Sequence, residues 1–158
     1  MKSLERRRIA MNENQLWEEF IEKDPEYKNE KYVAWQYGAV PDELADLTMK
    51  EIKTATSSAY DMYALEGEPL PEIGEWNIIL DSQDEAICIT QTTKVYVVPY
   101  DEVTSDHAFK EGEGDRSLTY WRVVHKEFYS KEYAENKLGF NEKIPVVCEE
   151  FKLMYKGD

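Results

Sequence analysis

Two short stretches hold most of the side chains that could do chemistry. The first, Lys53-Thr54-Ala55-Thr56-Ser57-Ser58, sets one amine and four hydroxyls within six residues. In an extended chain Lys53, Ala55 and Ser57 face one way and Thr54, Thr56 and Ser58 the other, so Lys53 and Thr56 share a pocket only where the chain turns or bulges. A lysine in a partly closed pocket polarises a carbonyl, or acts as a base once its pKa falls. A threonine hydroxyl donates to an oxyanion or attacks as a nucleophile. The competing structural reading is a lysine that complements the end of a helix and leads into a polar strand.

The second stretch is His107-Ala108-Phe109-Lys110-Glu111-Gly112-Glu113-Gly114-Asp115-Arg116. Glycine lets the backbone turn freely, so its three carboxylates can approach one another. Close carboxylates raise each other's pKa, which suits general acid–base work, and they can also hold Mg²⁺ or Ca²⁺. The EF-hand spacing is absent, however, and Arg116 can neutralise the charge. The plainer reading is an acidic surface loop whose Asp115 caps the next helix. Trp121 and Arg122 follow as candidates for a pocket wall. Trp121 also fits the apolar face of that helix, and His125 on the same face reads as a core histidine. No nucleophile elbow, P-loop, dinucleotide fingerprint or HExxH motif occurs.

The elements around these stretches follow from periodicity and caps. Asn12, with Gln15 in capping-box position, starts a helix carrying Leu16, Trp17, Phe20 and Ile21 on one face, and Pro25 ends it. Residues 26–40 read as aromatic and irregular. Pro41 opens a second helix with Leu44, Leu47, Thr48 and Ile52 inward, after which 53–59 forms a strand or tight loop. Residues 66–74 form a loop. Residues 76–80 and 86–98 are two strands joined by a turn at 81–84. A short helix is expected over 101–109, another capped by Asp115 or Ser117 and carrying Leu118, Trp121, His125 and Phe128, and a further short one over 130–137 before Gly139. Residues 145–155 make a last strand. The class is α+β, with helices around a small curved sheet or barrel. One domain over 13–158 is expected, after a flexible extension over 1–12.

Composition narrows the partners. The 33 acidic against 19 basic side chains leave a net charge of −14, a field that disfavours long nucleic acid and leaves small neutral ligands unpenalised. The 11 tyrosines and 4 tryptophans serve cores first, and also pockets that stack planar ligands. Cys88 and Cys148 lie far apart in apolar stretches and read as free, buried thiols. With two histidines and no CxxC pair, no metal site and no cofactor are expected. No apolar run is long enough to span a membrane and the basic N-terminus lacks an apolar core, so a cytoplasmic location is expected.

Residues 52–60, Ile-Lys-Thr-Ala-Thr-Ser-Ser-Ala-Tyr, followed by 111–122, Glu-Gly-Glu-Gly-Asp-Arg-Ser-Leu-Thr-Tyr-Trp-Arg, resemble the bacterial ASCH-domain proteins. The likeness covers about residues 13–155. It implies a PUA-like small β-barrel with flanking helices, in a family associated with RNA and with modified nucleosides. A small bacterial branch of it hydrolyses the amide of N4-acetylcytidine. This chain is similar to that branch in a lysine, a threonine three residues on, and a glutamate after a His-Ala pair. Those positions are Lys53, Thr56 and Glu111 behind His107-Ala108, with Glu113 the rival for the last. The resemblance thus implies Lys53, Thr56 and Glu111 as catalytic, and Thr54, Ser57, Ser58, Glu113, Arg116, Trp121 and Arg122 as substrate-binding. Glu51 stands where the family often has glycine, and Ser58 where the hydrolase branch has arginine. Three functions follow as expectations: a nucleoside-directed amidohydrolase, a non-catalytic RNA- or nucleotide-binding module, and a ribonuclease.

Overall fold

The computed structural model describes residues 10–157. Of the extension expected over 1–12, residues 1–9 lie outside the described residues. Met11 is anchored: its carbonyl accepts from Ala86 N at 2.8 Å, and its side chain packs on the core. Five strands form one curled sheet in the order β1-β3-β4-β5-β2, built from β1 (Tyr32–Gln36), β2 (Ala55–Ala59), β3 (Trp76–Leu80), β4 (Ala86–Pro99) and β5 (Pro145–Tyr155). β1 runs parallel to β3 and every other pairing is antiparallel. β1 and β2 are the two edges and do not pair, so the half-barrel stays open between them.

Helices α1 (Glu13–Lys23), α2 (Pro41–Met49), α3 (Tyr60–Glu66), α4 (Ser105–Glu111) and α5 (Leu118–Glu135) pack around the sheet. The Asn12–Gln15 capping box starts α1, whose Leu16, Trp17 and Phe20 meet Trp76, Ile78 and Leu80 of β3. The alternate residue Ile79 joins Cys88 against Tyr37, Leu44 and Ala45 on the side of α2. On the far half, α5 lays Trp121, Tyr129 and Tyr133 over Ala59, Val146 and Cys148. Cys88 and Cys148 are buried thiols outside any disulfide, as expected. No helix among the described residues is long and apolar enough to cross a membrane.

The structure departs from the sequence expectations in four places, the first being that the helix expected over 101–109 is a 3-10 turn over Tyr100–Glu102 followed by α4, which runs to Glu111. Residues 26–40 are not irregular, since a 3-10 turn over Pro25–Tyr27 leads to edge strand β1. Tyr60–Glu66 is helical, between the strand or tight loop expected over 53–59 and the loop expected over 66–74, where no element was assigned. The two helices expected across 115–137 are one, α5, which runs through Ser130 and ends where Lys137 turns left-handed at φ 58° and Leu138 N–H reaches Tyr133 O at 2.8 Å. That turn, rather than Gly139, stops the helix.

Candidate functional site

The position of Lys53 is set by the way α2 ends. Glu51 N–H donates to Thr48 O and Ile52 N–H to Leu47 O, each at 3.0 Å, the pair of bonds that closes a Schellman turn. Glu51 adopts φ 61°, the left-handed conformation glycine takes most easily. The missing glycine therefore does not shift the cap. α4 ends in a facing turn through Gly112 at φ 75°, where a Cβ would meet Ile52 O at 2.5 Å. Thr54 N–H then donates to Lys110 O at 2.7 Å, and Arg116 donates to Phe109 O at 3.0 Å and Ile52 O at 3.4 Å. Two helix ends are thus locked back to back.

Between them lies a buried cluster of charges. Lys53 Nζ stands 3.3 Å from Glu111 Oε1 and 3.1 Å from Glu113 Oε2, and donates to Glu111 O at 3.4 Å. Lys53 is 1% and Glu111 2% exposed. The other oxygen of Glu111 accepts from His107 Nε2 at 2.7 Å and from Trp121 Nε1. An ionised carboxylate only accepts, so His107 carries its proton on Nε2 and its Nδ1 accepts from Tyr96 OH at 3.4 Å. Burial pushes the Glu111 carboxyl up, but Lys53, His125 and His107 outweigh it and hold the group below the usual carboxylate range.

His125 completes the cluster. Its ring stacks on Trp121 with centroids 4.2 Å apart. Its Nδ1 lies 2.8 Å from Trp121 O, a pure acceptor, so Nδ1 bears the proton. Its Nε2 faces Glu111 Oε1 at 3.6 Å. His125 and Glu113 are 13% and 16% exposed, and they link the buried pair to solvent. Donor atoms of Glu111, Glu113 and His125 also lie close enough to converge on a cation. The ammonium of Lys53 already stands between both carboxylates and supplies the charge a metal would bring.

A cleft of about 680 Å³ adjoins this cluster, in the open seam of the half-barrel. β1 with Tyr37 and Gly38 forms one wall and Thr56, Ser57 and Ser58 of β2 the other, with Tyr63 and Phe128 alongside. Asn77 and Glu149, from strands inside the sheet, reach in from the floor; Trp35 Nε1 donates to Asn77 Oδ1 at 3.0 Å. Thr56 sits directly opposite Glu149 in the β2–β5 register, so the two side chains share a face. Burial, with Glu75 adding to it, pushes the Glu149 carboxyl up to about 7. Glu66, Glu68, Glu75 and Glu132 also line the cleft, and among the described lining residues none is lysine or arginine. Tyr37 links the two: it lines the cleft, Lys53 Nζ lies 5.2 Å from its ring centroid, and its hydroxyl is 2.8 Å from Thr48 Oγ1.

The structure brings Lys53, Glu111, Glu113 and Trp121 together. Thr56, Ser57 and Ser58 line the cleft, with Ser57 accepting from Tyr129 OH at 3.2 Å and Ser58 2.6 Å from Tyr63 OH. Lys53 and Thr56 are parted: Lys53, before β2, enters the charge cluster, whereas Thr56 on β2 lines the cleft. Thr54, whose hydroxyl donates to Lys110 O at 3.4 Å, and Arg116 brace the two turns. Arg122 is not in the site; it donates to Asp101 O at 3.1 Å and borders a small pocket with Tyr100 and Lys126. Helix phase explains this: Trp121 and His125 are four apart on one face, and Arg122 is turned about 100° away. His125 is part of the cluster rather than a core histidine. His107, Tyr37 and Glu149 escaped the sequence reading. The i, i+4 spacing of His107 and Glu111 was a usable signal, whereas Tyr37 and Glu149 are brought in by tertiary structure alone.

A sequence model of the ASCH domain matches residues 33–155. The crystal structure of an ASCH domain from Lactobacillus crispatus superposes with a TM-score of 0.85 at 30% identity, covering 92% of this chain and 96% of that one. A protein from Enterococcus faecalis superposes with a TM-score of 0.80 at 32% identity, covering 90% of this chain and 88% of that one. A hypothetical protein 17% identical shares the fold, with a TM-score of 0.51 over 78% of this chain and 97% of that one. No curated protein sequence matches. With a family match across most of its length and two such structural relatives, the chain belongs to the ASCH domain family.

Proposed function

We propose that the cleft receives a single acylated nucleoside of the N4-acetylcytidine type and that the protein hydrolyses its amide. The lining carries this reading: aromatic faces of Trp35, Tyr37, Tyr63 and Phe128 for a planar base, carboxylates, and no basic side chain among the described residues. The volume falls in the range of small-molecule sites. A polynucleotide needs cations to replace its counterions. Here Lys53 is enclosed by carboxylates, Lys110 bridges Asp106 and Glu150, Arg116 is spent on backbone carbonyls, and Arg122 lies elsewhere. That speaks against the RNA-binding and ribonuclease readings.

In the hydrolysis, water adds to the acyl carbon, the C–N bond breaks, and the nitrogen takes up a proton, giving acetate and cytidine. Thr56 faces the cleft and donates to the acyl oxygen. Lys53 and Glu111 stand outside the cleft lining, next to Tyr37, and act on the acyl group only if the Tyr37 side chain moves; Lys53 then offers positive charge to the oxyanion and Glu111 with His125 Nε2 moves the proton. The test is acetate release from N4-acetylcytidine by the wild type, by Thr56→Val and by the paired variant Lys53→Met/Glu111→Gln. The expected result is release by the wild type and a loss of about a hundredfold or more in each variant. Binding without release in the wild type would overturn the hydrolase and leave a non-catalytic nucleoside-binding module.

A further inference from the structure

Glu149 is a carboxyl that the hydrolytic reading does not use. It is 9% exposed, lines the cleft from its floor, and makes no hydrogen bond to any described residue. A carboxyl with so little water around it is costly to ionise, and without a protein partner its oxygens are left to face whatever enters the cleft. Its neighbours across the cleft are Thr56 on β2, Glu75 before β3, Tyr63 on α3 and Tyr37 after β1. Glu66, Glu68 and Glu132 stand on the lining as well. Among the described lining residues none is a cation that would hold Glu149 ionised, and Glu75 opposes ionisation. A protonated carboxyl offers one donor and one acceptor side by side. That pair complements a ring nitrogen next to an exocyclic N–H, the edge that N3 and N4–H present in cytosine.

We propose that Glu149 reads the base, its protonated carboxyl donating to N3 and accepting from N4–H of a cytosine-type ring stacked in the cleft. The choice of cytosine over adenine, whose N1 and N6–H offer the same edge, rests on the acylated-cytidine reading above. Uracil and guanine present a ring N–H beside a carbonyl, an edge the acid meets only with donor and acceptor exchanged between its two oxygens, so the choice of cytosine over these bases rests on the acylated-cytidine reading as well.

Glutamine mimics the protonated acid, with a carbonyl beside an NH₂, whereas methionine keeps the volume and removes both groups. Binding of cytidine, N4-acetylcytidine, uridine and adenosine to wild type, Glu149→Gln and Glu149→Met, followed by calorimetry across neutral pH, separates the cases. The expected result is that the wild type binds the two cytidines more weakly as pH rises. Glu149→Gln should bind them with no pH dependence, and Glu149→Met about ten- to hundredfold more weakly than Glu149→Gln. This pattern supports the assignment even where no acetate is released, an outcome that would overturn the hydrolase alone. Equal binding of the cytidines by wild type and Glu149→Met, or preference for uridine or adenosine, overturns it whether or not acetate is released.

Discussion

Lys53 and Glu111 are a buried ion pair whose worth lies in their being together. Removing one partner leaves the other charged and enclosed, so Lys53→Met should destabilise the protein by about 3–5 kcal/mol in urea unfolding. Adding Glu111→Gln to it should recover most of that loss. Because Glu111 has its folded pKa depressed, its stabilising contribution is present above the unfolded value and is lost as pH falls through the lowered one. Glu149 behaves the other way. Its folded pKa rises from 4.5 to about 7, so its ionisation opposes folding, by nothing below about 4.5 and by its full amount above 7. The difference of about 2.5 units corresponds to roughly 3 kcal/mol as an upper figure. Glu149→Gln should therefore stabilise the protein by up to about 3 kcal/mol near pH 8 and change little near pH 4.5. A stability gain independent of pH would contradict this. Lys53, Thr56 and Glu111 stand out in the sequence as candidates, since a lysine, hydroxyls and glycine-spaced acids lie close together there, and their proposed roles come from the ASCH resemblance. Glu149 does not stand out, because Val-Val-Cys-Glu-Glu carries no sign of which acid the sheet turns inward.

At the scale of elements, the site depends on two turns meeting. Glu51 takes a left-handed conformation that costs a residue with a Cβ about 1 kcal/mol, so Glu51→Gly should raise stability by roughly 0.5–1 kcal/mol without moving Lys53. Gly112→Ala should do the reverse. Its Cβ would press on Ile52 O at 2.5 Å and strain the φ of 75°, and the bond from Thr54 N to Lys110 O would open. A loss of about 2 kcal/mol or more, together with a changed tryptophan environment at Trp121, is expected. The elements with strong local signals were readable: the capped α1 and the hairpin of β3 and β4. β1 was not, because Tyr-Val-Ala-Trp-Gln sits at an edge with no clean alternation of buried and exposed residues. α5 read as two helices, the second over 130–137, in what is one continuous run. The same helix hid the role of His125, since a face that packs on the core also carries the residue that meets Glu111.

For the whole molecule, the open seam between β1 and β2 matters most. A closed barrel would bury these edges, whereas here they become the walls of a cleft floored by the middle of the sheet. The net charge of −14 and the acidic lining act together, because the global field and the local surface both repel phosphate. Composition alone gave the first of these facts, and only folding, which gathers glutamates from α3, β5, α5 and the loop before β3, gave the second. The most direct test is a binding titration of N4-acetylcytidine and of a short single-stranded RNA at low and at high salt. The account predicts that the nucleoside binds with an affinity that salt barely changes and that the RNA does not compete. RNA binding that weakens steeply with added salt, with no binding of the free nucleoside, would contradict it.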